Sequence, residues 1–236
     1  MNMTLVVAFW RERVSSIVRM ALLVILCFLP LPLQLTQDVV GRVTGGDMLM
    51  PMLILGAGVI GRDLSTGVLQ LVLVRPVSRM EYVLSRWVGL ALAGCIVGLV
   101  TWAIVTPAAL ATGGANLRQV VLSLGEIGAT CFVLSGVITG LSAVLPGFGD
   151  LALLLVGWFG SMMLKFIGQA AHNVALSRIG RELANTFLPV VDASMMVRGQ
   201  TIYWYPLIAP VSSAALGLLL AVYVMNHREF SYGATG

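Results

Sequence analysis

The sequence predicts an all-α membrane protein, with six transmembrane helices, an N-terminal interfacial helix and a short cytoplasmic surface helix after the second crossing. Composition is the first reason. Hydrophobic residues make up 58% of the 236 residues and charged residues only 10%, where a water-soluble domain carries about 25% charged residues. A chain this long with so few charges cannot cover its apolar surface in water, so its solvent is a bilayer. Patterning is the second reason. Runs such as 151–156 and 214–224 are apolar on all sides, without the alternation of a membrane β-strand. Within lipid, a helix satisfies its own backbone hydrogen bonds.

The elements follow in chain order. Residues 1–16 include Phe9, Trp10, Arg11, Glu12 and Arg13, an amphipathic mix that suits the membrane interface. The apolar stretch behind them is longer than a signal-peptide core. It lacks a small-residue cleavage site before Pro30 and Pro32, so it reads as a retained helix. The spans are expected at 17–35, 43–61, 87–110, 119–145, 151–171 and 202–225, the second of them short and containing Pro51. Trp204 and Tyr205 would anchor the last at the interface.

Six crossings put both termini on one side. Arg11, Arg13, Arg19, Arg62, Arg75, Arg79, Arg86 and Arg228 fall on that side. Arg42, Arg118, Arg178, Arg181, Arg198 and Lys165 fall on or near the other. Positive residues favour the cytoplasm, which places the termini and the 62–86 connection inside a plasma or inner cell membrane. The net charge of +4 thus reports orientation. No basic run alternates with aromatics, so nucleic acid is not an expected partner; membrane lipid is.

Glycines at helix-packing spacing, Gly94 with Gly98 and Gly136 with Gly140, let helices approach closely, within the chain or across a dimer. Gly125, Gly128, Gly157 and Gly160 also lie inside spans. Cys27, Cys95 and Cys131 sit in apolar runs with no metal-ligand spacing and read as packing residues.

Two connections are long, and long connections tend to carry function. Residues 172–201 hold Leu176, Ile179, Leu183 and Phe187 at helical intervals. They predict a half-inserted amphipathic helix at the outer face, either a cap over the helix ends or an external gate. Residues 62–86 read RDLSTGVLQLVLVRPVSRMEYVLSR. Their apolar middle is too short to cross a bilayer, and Pro76 ends any helix there. Flanked by Arg62, Asp63, Arg75, Arg79, Glu81 and Arg86, this stretch belongs at the membrane surface, as a plain connector or as a docking element.

Asp63, Gly67, Leu69, Gln70, Leu71, Leu73, Pro76, Arg79 and Arg86 fall on a pattern that resembles the cytoplasmic signature of ATP-binding-cassette export permeases of the second type. Val68 and Gln70 depart from it, standing where Thr and Glu are frequent. The resemblance spans about 25 residues in sequence and the whole chain in layout. It implies that 62–86 is a coupling helix seated on a separate ATPase subunit, with Arg62, Asp63, Gly67, Gln70, Arg75, Pro76, Arg79 and Glu81 as coupling residues. It also implies cytoplasmic ATP-binding-cassette ATPase subunits as partners, ATP and magnesium bound there, and a second permease half, identical or different.

The chain itself has no phosphate-binding Gly-Lys-Ser/Thr loop, no metal-ligand spacing and no Gly-x-Ser-x-Gly. It is therefore expected to be neither an ATPase nor any other enzyme, with no catalytic residue, no metal and no cofactor of its own. A non-transport membrane scaffold or assembly-pathway subunit is the alternative. Glu126, well inside the fourth span, is costly in lipid. It either lines a translocation path or pairs with Arg118 or Lys165.

Overall fold

The computed structural model describes residues 3–14, 17–28, 43–67, 77–111, 116–192, 197–198, 201–202 and 204–227. Helices α1 (Met3–Val14) and α2 (Ile17–Phe28) open the chain. A 3-10 turn at Gly45–Met48 leads into α3 (Leu49–Gly56) and α4 (Gly61–Ser65). The long helices follow: α5 (Arg79–Ala111), α6 (Leu117–Val144) and α7 (Gly149–Ala170). After α8 (Val174–Phe187), a two-stranded hairpin of β1 (Val197–Arg198) and β2 (Thr201–Ile202) precedes α9 (Tyr205–His227).

Among the described residues, five segments are long and apolar enough to cross a membrane: Gly45–Ser65, Arg79–Pro107, Leu117–Val144, Gly149–Ala170 and Leu207–His227. They correspond to the second to sixth expected spans. Of the first, expected at 17–35, the described part is α2; residues 29–35 lie outside the described residues. Side chains such as Val156, Phe166, Leu216 and Leu219 stand on the outside of α7 and α9, where a bilayer would receive them.

The helix of the third expected span begins ahead of its apolar stretch. Residues 79–86, expected in the connection, form the first two turns of α5. The cause is a reciprocal cap. Ser78 Oγ accepts from the Glu81 N–H at 3.1 Å, and Glu81 Oε2 accepts from the Ser78 N–H at 3.4 Å. At ~1.5 Å per residue the helix is about 50 Å long, against a hydrocarbon core of about 30 Å. Charged first turns therefore fit outside the core.

The second crossing is a broken helix. Pro51 does not break it, because Pro51 sits in the first turn of α3, where no intrahelical donor is needed. The break falls at 57–60, where Gly58 takes a φ of +64°. Neighbouring helices satisfy the freed backbone groups. Ser142 Oγ on α6 accepts from the N–H groups of Ile60 at 2.9 Å and Gly61 at 3.0 Å. The Asp150 carboxylate in the first turn of α7 accepts from the N–H groups of Gly58 at 3.0 Å and Leu151 at 2.8 Å. The Gly147 N–H donates to the Gly61 carbonyl at 2.8 Å. Ser142 and Asp150 are fully buried.

Small residues set the distances between helices. A Cβ on Gly140 would lie 2.5 Å from the Gly217 carbonyl oxygen of α9, and one on Gly136 would lie 2.9 Å from Ala214 Cβ. Gly94 and Gly98 receive Met52 and Met48 from the second crossing and Cys131 and Ile127 from α6. Both glycine pairs thus pack within the chain. Gly125, Gly128 and Gly160 have nothing within 4 Å of an added Cβ, and Gly157 packs on Phe187.

Helix α8 starts with an Asn173 cap, whose Oδ1 accepts from the N–H groups of Ala175 and Leu176. It then turns back along α7. Gly168 meets Ser177, Gly180 meets Ser161 and Lys165, and Phe187 meets Gly157. The pair is antiparallel, and from Gly168 to Gly157 α8 descends about 16 Å along α7. Ile179, on the apolar side expected to insert, is exposed on the structure's surface, and it is Gly180 that is buried against α7. The reason is that a glycine brings the two backbones closer than an Ile would allow.

The glycine geometry predicts a sharp contrast. Gly140→Ala, with no flexible side chain to yield, should cost about 1–3 kcal/mol and lower the thermal midpoint in detergent by several degrees. Gly125→Ala should leave it unchanged. Equal midpoints for the two variants would refute the close α6–α9 approach.

Candidate functional site

The described candidate coupling residues, Arg62, Asp63, Gly67, Arg79 and Glu81, lie at one end of the bundle. Here α4 follows the broken crossing, α5 begins, the α6–α7 connection turns and α9 ends. Asp63, in the single turn of α4, points inward and is only 7% exposed. A lone carboxylate there would be costly. Its Oδ2 accepts from the Tyr82 hydroxyl and from the Arg86 guanidinium. Tyr82 and Arg86 are four residues apart on α5 and so share a face.

Arg86 also reaches the N-terminal helix. Its guanidinium carbon lies 5.0 Å from the centroid of the Phe9 ring and 5.1 Å from that of Tyr82, within the range of cation–π attraction. Phe9 can sit there because position 89 is glycine; a Cβ on Gly89 would lie 2.9 Å from the Phe9 ring. Phe9 and Tyr82 are both 1% exposed. Asp63, Tyr82, Arg86 and Phe9 therefore tie α1, α4 and α5 into one unit.

The remaining expected residues divide. The Arg79 guanidinium donates to the carbonyls of Met225 at 2.6 Å and Asn226 at 3.1 Å. It closes the last turn of α9, where free carbonyls and the helix dipole favour a cation. Glu81 caps α5. Arg62 is exposed, and its carbonyl accepts from the hydroxyls of Ser65 and Thr66 at 2.9 and 2.8 Å. Gly67 ends that turn at a φ of +73°. Gln70, Arg75 and Pro76 lie outside the described residues. Tyr82, Phe9, Ser142 and Asp150 complete this end and were not singled out from the sequence as site residues. The i, i+4 spacing of Tyr82 and Arg86 becomes visible only once α5 is known to start at Arg79.

Glu126 lies at the other end, 1% exposed, about 13 Å along α6 from its start. With Thr44, Gly45, Gly46, Val190, Val191 and Asp192 it lines a cavity of about 190 Å³. The cavity wall is held by the Thr130 hydroxyl, which accepts from the Val191 N–H at 3.1 Å. Neither Arg118, at the exposed start of α6, nor Lys165, on α7, lines this cavity.

Among the described residues, no group of three or more His, Cys, Asp or Glu side chains is placed to hold a metal ion. Among the described residues, the polar contacts at the arginine-rich end join one element to another.

Breaking the buried pair should be costly because one charge would stay behind. Arg86→Met is expected to destabilise the protein by about 3–5 kcal/mol. Asp63→Asn combined with Arg86→Met should recover part of that loss in a double-mutant cycle on thermal midpoints. Strict additivity would show that the two groups do not interact. Compared with family models, with curated proteins and with solved structures, the chain matches none of them.

Proposed function

We propose that this chain is the permease subunit of an ATP-driven exporter of the ATP-binding-cassette type. In this reading it forms half of a translocation pathway and binds a separate cytoplasmic ATPase through the segment that follows Asp63. A second permease half, identical or different, completes the path. Both termini and the arginine-rich end face the cytoplasm of a plasma or inner cell membrane. ATP and magnesium reside in the ATPase, and this chain acts mechanically.

One observation carries the reading: α4 and α5, the helices on either side of the 68–76 connection, are tied together. The first anchor is Asp63 and the second is Tyr82 with Arg86, joined by one carboxylate. Arg79 fastens the same end to α9. A displacement of the connection would therefore act on α1, the broken second crossing, α5 and α9 together. A slack loop would dissipate that displacement.

Helix α8 adds support. Arg178, Arg181, Glu182 and Asn185 are exposed on a helix that descends along α7. Charged groups at that depth require water or a polar partner, since lipid tails provide neither. An aqueous path between two permease halves would supply it, with α8 as its external gate.

Two measurements test the proposal. Purified from its native membrane, the chain should bring down a soluble ATPase and stimulate its turnover. Gly67→Ala and Arg79→Ala should lower export at least about tenfold while ATP hydrolysis and membrane insertion persist. Export at the unaltered rate in both variants would overturn the coupling role. Absence of any associated ATPase would favour a membrane scaffold. For the path, Asn185→Cys should react with a membrane-impermeant maleimide added outside. Protection of that thiol from both sides would place α8 against protein or lipid.

A further inference from the structure

The three crossings that meet at Gly94 bring sulfur atoms together. A Cβ on Gly94 would lie 2.2 Å from Met52 Sδ and 3.1 Å from Cys131 Sγ. Both sulfurs thus flank one point, and they stand at most about 5 Å apart. The Cys95 and Cys131 thiols lie within hydrogen-bonding reach of each other. Met52 and Cys131 are fully buried and Cys95 is half-buried. One turn away, Met48 Sδ lies 2.9 Å from the point a Gly98 Cβ would occupy. The absence of side chains at 94 and 98 lets these sulfurs close onto the α5 backbone.

We propose that Cys95, Cys131 and Met52 form a binding site for a soft monovalent metal ion, copper(I) in a cell, bridging the second crossing, α5 and α6. Two thiols and a thioether are the donor set that selects copper(I). Metal–thiolate bonds run to about 2.3 Å, so sulfurs about 4–5 Å apart can share one ion after small rotamer shifts. On binding, one thiol releases its proton to water as the copper–sulfur bond forms. One thiolate then balances the single positive charge, leaving a neutral complex suited to an apolar core. Zinc is disfavoured, because it requires four ligands and no His, Asp or Glu clusters with these sulfurs among the described residues. This inference does not depend on the exporter reading, since its readout is binding.

The test uses the full chain, reduced, in detergent under argon. A Cys27→Ser background keeps the third thiol out of the count. Titration with copper(I) against a chromophoric copper(I) chelator should give one ion per chain, with sulfur scatterers alone in the X-ray absorption spectrum. Cys131→Ser and Met52→Leu should each weaken binding at least about tenfold, and Met52→Leu keeps the apolar volume. Silver(I), a redox-inert stand-in, should protect Cys95 from alkylation in the otherwise unaltered protein, a readout that needs no core substitution. Binding no greater than that of empty micelles would overturn the proposal. So would nitrogen or oxygen ligation, a Cys95–Cys131 disulfide in the purified protein, or unchanged affinity in both variants.

Discussion

In an apolar solvent, every buried backbone amide and every buried charge must find its partner inside the protein. That constraint governs the second crossing. Its helix stops at Gly56 and restarts at Gly61, freeing amides that water cannot reach. Ser142 and Asp150 accept them, and in doing so they fix the α6–α7 connection against α4. A Cβ on Gly61 would lie 2.5 Å from the Leu145 carbonyl oxygen, so the junction also demands a residue without a side chain. The break and its supports are one feature.

The same rule explains the polar end of the bundle. Asp63 enters a buried site because Tyr82 and Arg86 already point there from α5. Arg86 is tolerated because its guanidinium lies over two aromatic faces. Arg79 satisfies carbonyls that α9 would otherwise leave bare. Asp63, Arg79 and Arg86 each meet a polar group on a different element. The polar residues therefore set which elements move together, while the apolar core sets how tightly they pack.

Glycine supplies the complementary control. Gly136 and Gly140 bring α9 onto α6, and Gly94 and Gly98 seat the methionines of the second crossing between α5 and α6. Without a hydrophobic force between helices in lipid, close van der Waals contact takes over that role. Gly168 and Gly180 do the same for the α7–α8 hairpin, holding an amphipathic helix close along α7.

Hydropathy and residue spacing were enough to identify a predominantly helical chain, five helical segments long and apolar enough to cross a membrane at the second to sixth expected spans, and a helix within 172–201. These properties follow from local composition, because a bilayer sorts residues by polarity and a helix repeats every 3.6 residues. The helix α5 extends ahead of the expected span because Ser78 and Glu81 form a cap that hydropathy ignores. The break at 57–60 was missed because its cause lies 82 to 92 residues away, in Ser142 and Asp150. Asp63 was legible as a charge near a surface segment, but its pairing with Tyr82 and Arg86 was not. Likewise, Cys95 and Cys131 are distant in sequence and come together only when α5 and α6 pack. Composition decides what must leave water; only the packed helices decide which polar groups meet, because such partners lie on different elements and carry no local pattern.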